Sequence, residues 1–250
     1  MTPPADWIVP DWPAPGRVRA LITTRNGGVS QAPFDSMNLG AHLDDDPKAV
    51  SANRACLREH VPAEPCWLQQ VHGTRVVRAD AAAPGEQADA CIAREAGRVC
   101  VVMIADCLPV LLCDRAGTIV AAAHAGWRGL SAGVLESTIA AMGCEPAELL
   151  AYLGPAIGPQ AFEVGGEVRD AFTRAGPRAA ECFRAKPVPA GTPQKWLADL
   201  YGLARQRLAD AGLRTVYGGT GCTFGEPQRF FSHRRDRRTG RQAALIWLAA

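Results

Sequence analysis

The run VVMIADCLPVLLCD, residues 101–114, restricts the fold more than any other stretch. Its apolar residues suit strand covered on both faces. Yet Asp106, Cys107 and Pro109 interrupt it. A carboxylate taken out of water needs partners, and proline has no N–H to give a ladder. The run is also too short and too broken to span a bilayer. We expect two strands with a break that Pro109 creates, where regular pairing ends and Cys107 turns toward a cleft. Neighbouring side chains on a regular strand face opposite ways. Asp106 therefore shares that cleft only if the exit is irregular. Otherwise it orients a ligand from behind, or is a hydrogen-bonded structural acid near a turn.

Periodicity and turn residues supply the other elements. RVRALITT (17–24) alternates as a strand, and DPKAVSANRACLREHV (46–61) opens on an acid and a proline and keeps helical spacing. CWLQQVHGTRVVRAD (66–80) predicts two short strands about a His-Gly turn. ADACIA (88–93), RVCVVMIA (98–105), LPVLLCD (108–114) and TIVAAAHA (118–125) are the strongest strand candidates. Residues 126–142 predict one helix ending at Gly143. LLAYLGPAIGP (149–159) predicts a strand entering a loop. GGEVRDAFTRAG (165–176) and QKWLADLYGLARQRLADAG (194–212) predict helices, the second ending at Gly212. RTVYGGTGCTF (214–224) is strand then turn, and RQAALIWLA (241–249) a last strand. Clustered strands with helices on either side predict a mixed α/β (α+β) fold with antiparallel pairing. No G-x-G-x-x-G leads from strand to helix, so a dinucleotide fold has no support.

Composition narrows the function class. A formal net charge of +2 and 6% aromatic residues argue against nucleic acid as an obligate partner, because the only dense basic run is Arg234–Arg238. That cluster reads as a solvated turn or a site for an anionic ligand. The N-terminus lacks the basic and apolar regions of a secretion signal, and no stretch spans a membrane, so a cytoplasmic enzyme is expected. Nine cysteines, an odd count without a Cys-x-x-Cys pair, predict no disulfide framework. Most lie in apolar contexts and read as small core residues.

Five histidines are present: His42, His60, His72, His124 and His233. His60 ends a predicted helix, where a dipole contact explains it. His72 closes a strand at a glycine turn, and His124 closes IVAAAHA before small residues. With Cys107 they make three metal donors at strand ends or breaks, where loops converge. They lie far apart in sequence, so the residues alone leave packed core side chains and a joint metal site both open. As a site, two neutral imidazoles and a thiolate would hold zinc and leave a fourth position for water, whose pKa zinc brings near neutrality.

TTRNGGVS, FDSMNLG, QQVHG, ADCLPVLL, AAAHAGWRGL, YLGPAIGPQAFEVG, GGTGCT and FFSHRRD…TGRQ occur in that order. With these motifs the chain resembles the bacterial purine nucleoside phosphorylase family, formerly called the multicopper polyphenol oxidase or laccase-domain family, which includes the peptidoglycan editing factor. The resemblance covers almost the whole chain, taken as one domain over residues 1–250. It implies a layered α/β/β/α fold with mixed sheets, similar to that of cysteine-hydrolase toxins. It implies a metal site of His72, Cys107 and His124, holding zinc, with copper as the other metal. It also implies phosphorolysis of adenosine, inosine and 5′-methylthioadenosine to base and (methylthio)ribose 1-phosphate, and deamination of adenosine to inosine. Homodimers occur among relatives. The extra arginines Arg237 and Arg238 depart from the tail pattern and alter a loop.

For deamination, Asp106 is the candidate to carry protons to departing ammonia. The usual deaminase signature is absent. For phosphorolysis, phosphate calls for arginines and helix N-terminal amides. Arg128, where the helix begins, and Arg25 and Arg235 are the candidates, each also explicable as an ion pair. Asn38 and Cys222 either touch the ligand or brace and pack their turns. Two other activities use the same residues. One is hydrolysis of a peptidoglycan precursor, removing a misincorporated L-Ser from UDP-MurNAc with Cys107 as nucleophile and His124 as base. The other is phenol oxidation, which needs more histidines than five and His-x-His pairs that this chain lacks.

Overall fold

The structure, a computed structural model, describes residues 3–250. In chain order the elements are β1 Val18–Ile22, α1 Pro47–Arg58, β2 Val76–Arg78, β3 Ala90–Ala93, β4 Val99–Ile104, β5 Leu108–Asp114, β6 Val120–Ala125, α2 Trp127–Ala132 and α3 Val134–Met142. There follow β7 Leu149–Leu153, β8 Glu163–Val164, α4 Gly166–Thr173, β9 Phe183–Lys186, β10 Lys195–Ala198, α5 Leu200–Asp210, β11 Thr215–Gly218, α6 His233–Asp236 and β12 Gln242–Leu248.

Two sheets face each other. One has the order β1-β12-β4 and is antiparallel throughout; the other has the order β11-β7-β5-β6-β3-β2. The six-stranded sheet is mixed, since β2 runs parallel to β3 and β11 parallel to β7. A small third sheet, β8-β10-β9, lies apart. Strand alternation assigns each face its layer. Cys100 and Val102 of β4, Leu111 and Cys113 of β5, and Ala244 and Ile246 of β12 pack between the two sheets. Leu108, Val110 and Leu112 of β5 point the other way, with Leu130, Leu135, Phe172 and Leu203 of the helices. Val99, Val101 and Leu245 meet Leu57 of α1 on the outer face of the small sheet. The layers are therefore α/β/β/α, the mixed arrangement the resemblance implied. Burial on both faces explains why β4, β5 and β6 read as unbroken apolar runs.

Several elements depart from expectation, each for a local reason. Pro109 does not end pairing: it lies inside β5 opposite His124. His124 donates its N–H to Asp89 on the far side, so the ring costs the β5–β6 ladder no bond. The break falls earlier, where Asp106 adopts φ 95°. The helix expected over 126–142 is two helices, because Gly133 at φ 104° closes α2 and opens α3. Residues 195–198 form β10 between β8 and β9, and the helix starts only after Asp199, whose side chain accepts from the Gly202 N–H. In segment 66–80 only β2 is a strand. Before it, Cys66 and Gln69 make isolated bridges, and the Gln70 amide bonds both N and O of Met103 at 2.8 and 2.9 Å. All nine cysteines are free. Among the described residues no helix is long and apolar enough to cross a membrane.

Candidate metal centre

The centre forms where the sandwich runs out. His124 takes the next inter-sheet position after Val120 and Ala122. There β4 has already ended at Ile104, so its ring meets no opposing strand. The β4–β5 connection delivers Cys107, and the loop before β2 delivers His72. Their donor atoms lie within 4.8 Å of one another, with Cys107 Sγ 3.8 Å from His72 Nε2. The two imidazole rings stand edge to face at 4.8 Å. His124 is buried, Cys107 half-buried and His72 exposed, so one side of the group opens to solvent. Both bends that aim the donors are strained. His72 at φ 60° and Asp106 at φ 95° are two of the three non-glycine residues with positive φ among the described residues.

Asp89 holds this geometry, and sequence reasoning missed it. It is fully buried, directly before β3. Its Oδ1 accepts from His124 Nδ1 at 2.8 Å and from the His72 N–H at 2.9 Å. Its Oδ2 accepts from the N–H groups of Gly73 at 2.6 Å and Val71 at 3.1 Å. One carboxylate thus orients the His124 ring and pins the main chain at His72, and fixing the proton on Nδ1 leaves His124 Nε2 as the donor. Burial pushes the Asp89 carboxyl up, but the His124 bond and the Gly73 and Val71 amides outweigh it and hold it below the usual carboxylate range. The only sequence signal was an acid at the mouth of the apolar strand ADACIA.

The donor chemistry suits a metal ion. Burial pushes the Cys107 thiol up, yet His124 and His72 pull it down further, to about 6. Burial disfavours charge on His124, yet Cys107 and Asp89 raise it to about 9. These opposed shifts favour a thiolate beside an imidazolium, whose proton a cation would replace. Cys66 and Cys113 go the opposite way, the latter to about 12. In metal-free protein Cys107 is therefore expected to react with iodoacetamide first among the nine cysteines. Its rate should climb as pH rises through about 6, and bound metal should block the reaction. Peptide mass spectrometry against pH checks this.

Close approach is part of the design. A Cβ on Gly126, the residue before α2, would lie 2.9 Å from Cys107 Sγ and 2.9 Å from His72 Cδ2. Gly126 has φ −62°, so alanine fits the backbone and only the contact changes. Gly126→Ala is expected to weaken metal binding at least about tenfold while the melting temperature of the metal-free protein hardly moves. Metal titration with a competing chelator measures it.

The other sequence candidates have definite places. Asp106 accepts from Thr223 Oγ1 at 2.7 Å and from the Arg234 N–H at 2.6 Å, tying the Cys107 turn to the start of α6. Arg25 donates to the carbonyls of Asp35 and Pro227 and pairs with the Asp35 carboxylate. Arg235 donates to the carbonyls of Thr223, Phe224 and Phe230 and to Asp236. Arg128 is exposed and stacks on Trp127 at 4.3 Å. Asn38 is buried, its Oδ1 accepting from the Gly40 and Arg241 N–H groups and its Nδ2 donating to Asp45. Cys222 Sγ accepts from the Gly158 and Gly225 N–H groups. In the basic tail, Arg234 donates to Glu163 O and Arg238 pairs with Asp44.

Comparison with known proteins agrees with this architecture. A family model described as multi-copper polyphenol oxidoreductase laccase matches residues 19–249. A purine nucleoside phosphorylase of Pseudomonas aeruginosa is 58% identical over 244 residues, which is 97% of this chain and 98% of that protein. The purine nucleoside phosphorylase YfiH of Escherichia coli is 53% identical, over 96% of this chain and 98% of its own. The crystal structure of a Neisseria meningitidis protein matches at TM-score 0.93 and 54% identity, covering 98% of this chain and all of that one.

Proposed function

The chain belongs to the multi-copper polyphenol oxidoreductase laccase family, and on that premise we propose that its centre performs purine nucleoside phosphorolysis. Relatives named purine nucleoside phosphorylase support an enzyme acting on nucleosides and phosphate. The observation that carries the proposal is the convergence of His72, Cys107 and His124, whose donor atoms lie within 4.8 Å of one another. The substrates are adenosine, inosine and 5′-methylthioadenosine, with deamination of adenosine as a second activity of the same centre. The donor set, one sulfur and two nitrogens, suits zinc. Among the described residues this is the only such group, too few ligands for multicopper phenol oxidation.

A zinc ion held by His72, Cys107 and His124 would supply Lewis acidity and a water of near-neutral pKa. The chain's own groups prepare the place. Asp89 keeps the proton on His124 Nδ1 and holds the main chain at His72. Asp106, with one oxygen committed to Thr223 and the other to the Arg234 N–H, fixes the turn that presents Cys107. That arrangement favours positioning over proton transfer for Asp106. Phosphate must meet the ribose C1′ while the base departs, so the open face beside exposed His72 is where the nucleoside enters.

Adenosine incubated with and without phosphate, with products separated by chromatography, tests the proposal. Adenine formed only with phosphate supports phosphorolysis, and inosine in both supports deamination. Neither product refutes it.

One observation favours a second reading. Cys107, His124 and Asp89 are arranged as nucleophile, base and orienting acid, with the thiol brought down to about 6. Such a triad suits hydrolysis of a peptidoglycan precursor at a misplaced L-Ser. Metal-free protein that releases serine, and loses that activity to iodoacetamide, would select it.

A further inference from the structure

We propose that Arg241 is the anion-binding residue of the centre and seats the phosphate that phosphorolysis consumes, an inference that rests on the nucleoside reading above. An oxyanion beside a metal needs a cation not already neutralised and held near the reacting groups. Arg25 and Arg235 are occupied by carbonyls and carboxylates. Arg234 extends toward Glu163 and Phe162. Arg241 is different.

The β12–β4 register pairs Gln242 with Ile104. Arg241 therefore lies across from Ala105, one residue before the Asp106–Cys107 turn. Its main chain is clamped: its N–H donates to Asn38 Oδ1 at 2.9 Å and its carbonyl accepts from the Leu39 N–H at 3.0 Å. Its Nη1 donates to the carbonyls of Thr239 and Gly240 at 3.1 and 2.9 Å. Among the described residues Nε and Nη2 have no protein acceptor and Arg241 forms no ion pair. Burial lowers the guanidinium, and the negative charges of Cys107 and Asp106 oppose that shift. Burial holds His42 below the usual imidazole range, with Arg241 and Arg54 adding to that shift. The result is a half-buried cation with two donors to spare, its main chain fixed across the register from the turn that carries Cys107. Asn38 is then a positioning residue, acting through the Arg241 main chain.

The test uses the full-length, metal-loaded protein as wild type, Arg241→Gln, Arg241→Lys and Arg128→Gln. Metal content and melting temperature are recorded first, then initial rates against phosphate at saturating nucleoside. Arg241→Gln is expected to raise KM for phosphate at least tenfold, with KM for nucleoside within about threefold and metal content unchanged. Arg241→Lys should recover part of the loss. A phosphate KM within twofold of wild type in Arg241→Gln overturns the proposal, as does a tenfold rise in Arg128→Gln alone. If wild type makes no base from nucleoside, the nucleoside reading fails. Calorimetric titration of wild type and Arg241→Gln with inorganic phosphate then still judges Arg241, since equal affinities refute it and a tenfold weakening supports anion binding.

Discussion

Replacing His72 with alanine is expected to abolish metal binding and nucleoside turnover together, while the melting temperature stays within about 2 °C of the metal-free wild type. His72 is exposed, and its side chain contributes little apolar burial. The Asp89 bond at this position goes to the main-chain N–H, which alanine retains. The fold therefore loses almost nothing. The centre loses one of three donors, and several kcal/mol of electrostatic assistance go with it, on the order of 10³-fold in kcat/KM. Cys107→Ser should behave alike, because a hydroxyl is a poor substitute for thiolate. Metal analysis, a melting curve and the adenosine assay on one preparation decide it. Unfolding of the variant would instead indicate a structural metal.

Asp89→Ala is expected to damage both fold and site. The carboxylate is fully buried and accepts from three main-chain N–H groups and from the His124 ring. Alanine leaves the buried His124 ring and three half-buried main-chain N–H groups without their acceptor, a loss of about 3 kcal/mol. At this chain length that lowers the melting temperature by roughly 10 °C. Asp89→Asn separates the two effects. It retains size and one acceptor oxygen, so the fold should suffer less, but the charge that fixes the His124 proton is gone. Metal affinity should fall about 10–100-fold. A carboxamide variant with wild-type affinity would show that Asp89 only braces the loop.

Much of this was legible in the sequence, for identifiable reasons. The donors His72, Cys107 and His124 sit in motifs that fix their local backbone, so the resemblance named them, and the structure brings them together. The layered fold was legible because strands covered on both faces leave long apolar runs. Asp89 escaped because a lone acid before a strand resembles ordinary turn chemistry. Its role depends on a cross-strand position opposite His124 that no local pattern encodes. Arg241 escaped likewise, its place being set by register with β4. Residues 195–198 read as helix because KWLA continues the spacing of the helix behind it. Pairing with β8 and β9 overrode that preference. Pro109 misled for the opposite reason: its missing N–H falls where the β5–β6 ladder needs none.

X-ray absorption at the metal edge of the purified protein tests the centre most directly. A metal held by Cys107, His72 and His124 gives one ion per chain with one sulfur at about 2.3 Å, two imidazole nitrogens at about 2.0–2.1 Å and one further light atom. A fully active protein without metal, or a coordination shell that contains no sulfur, would contradict it.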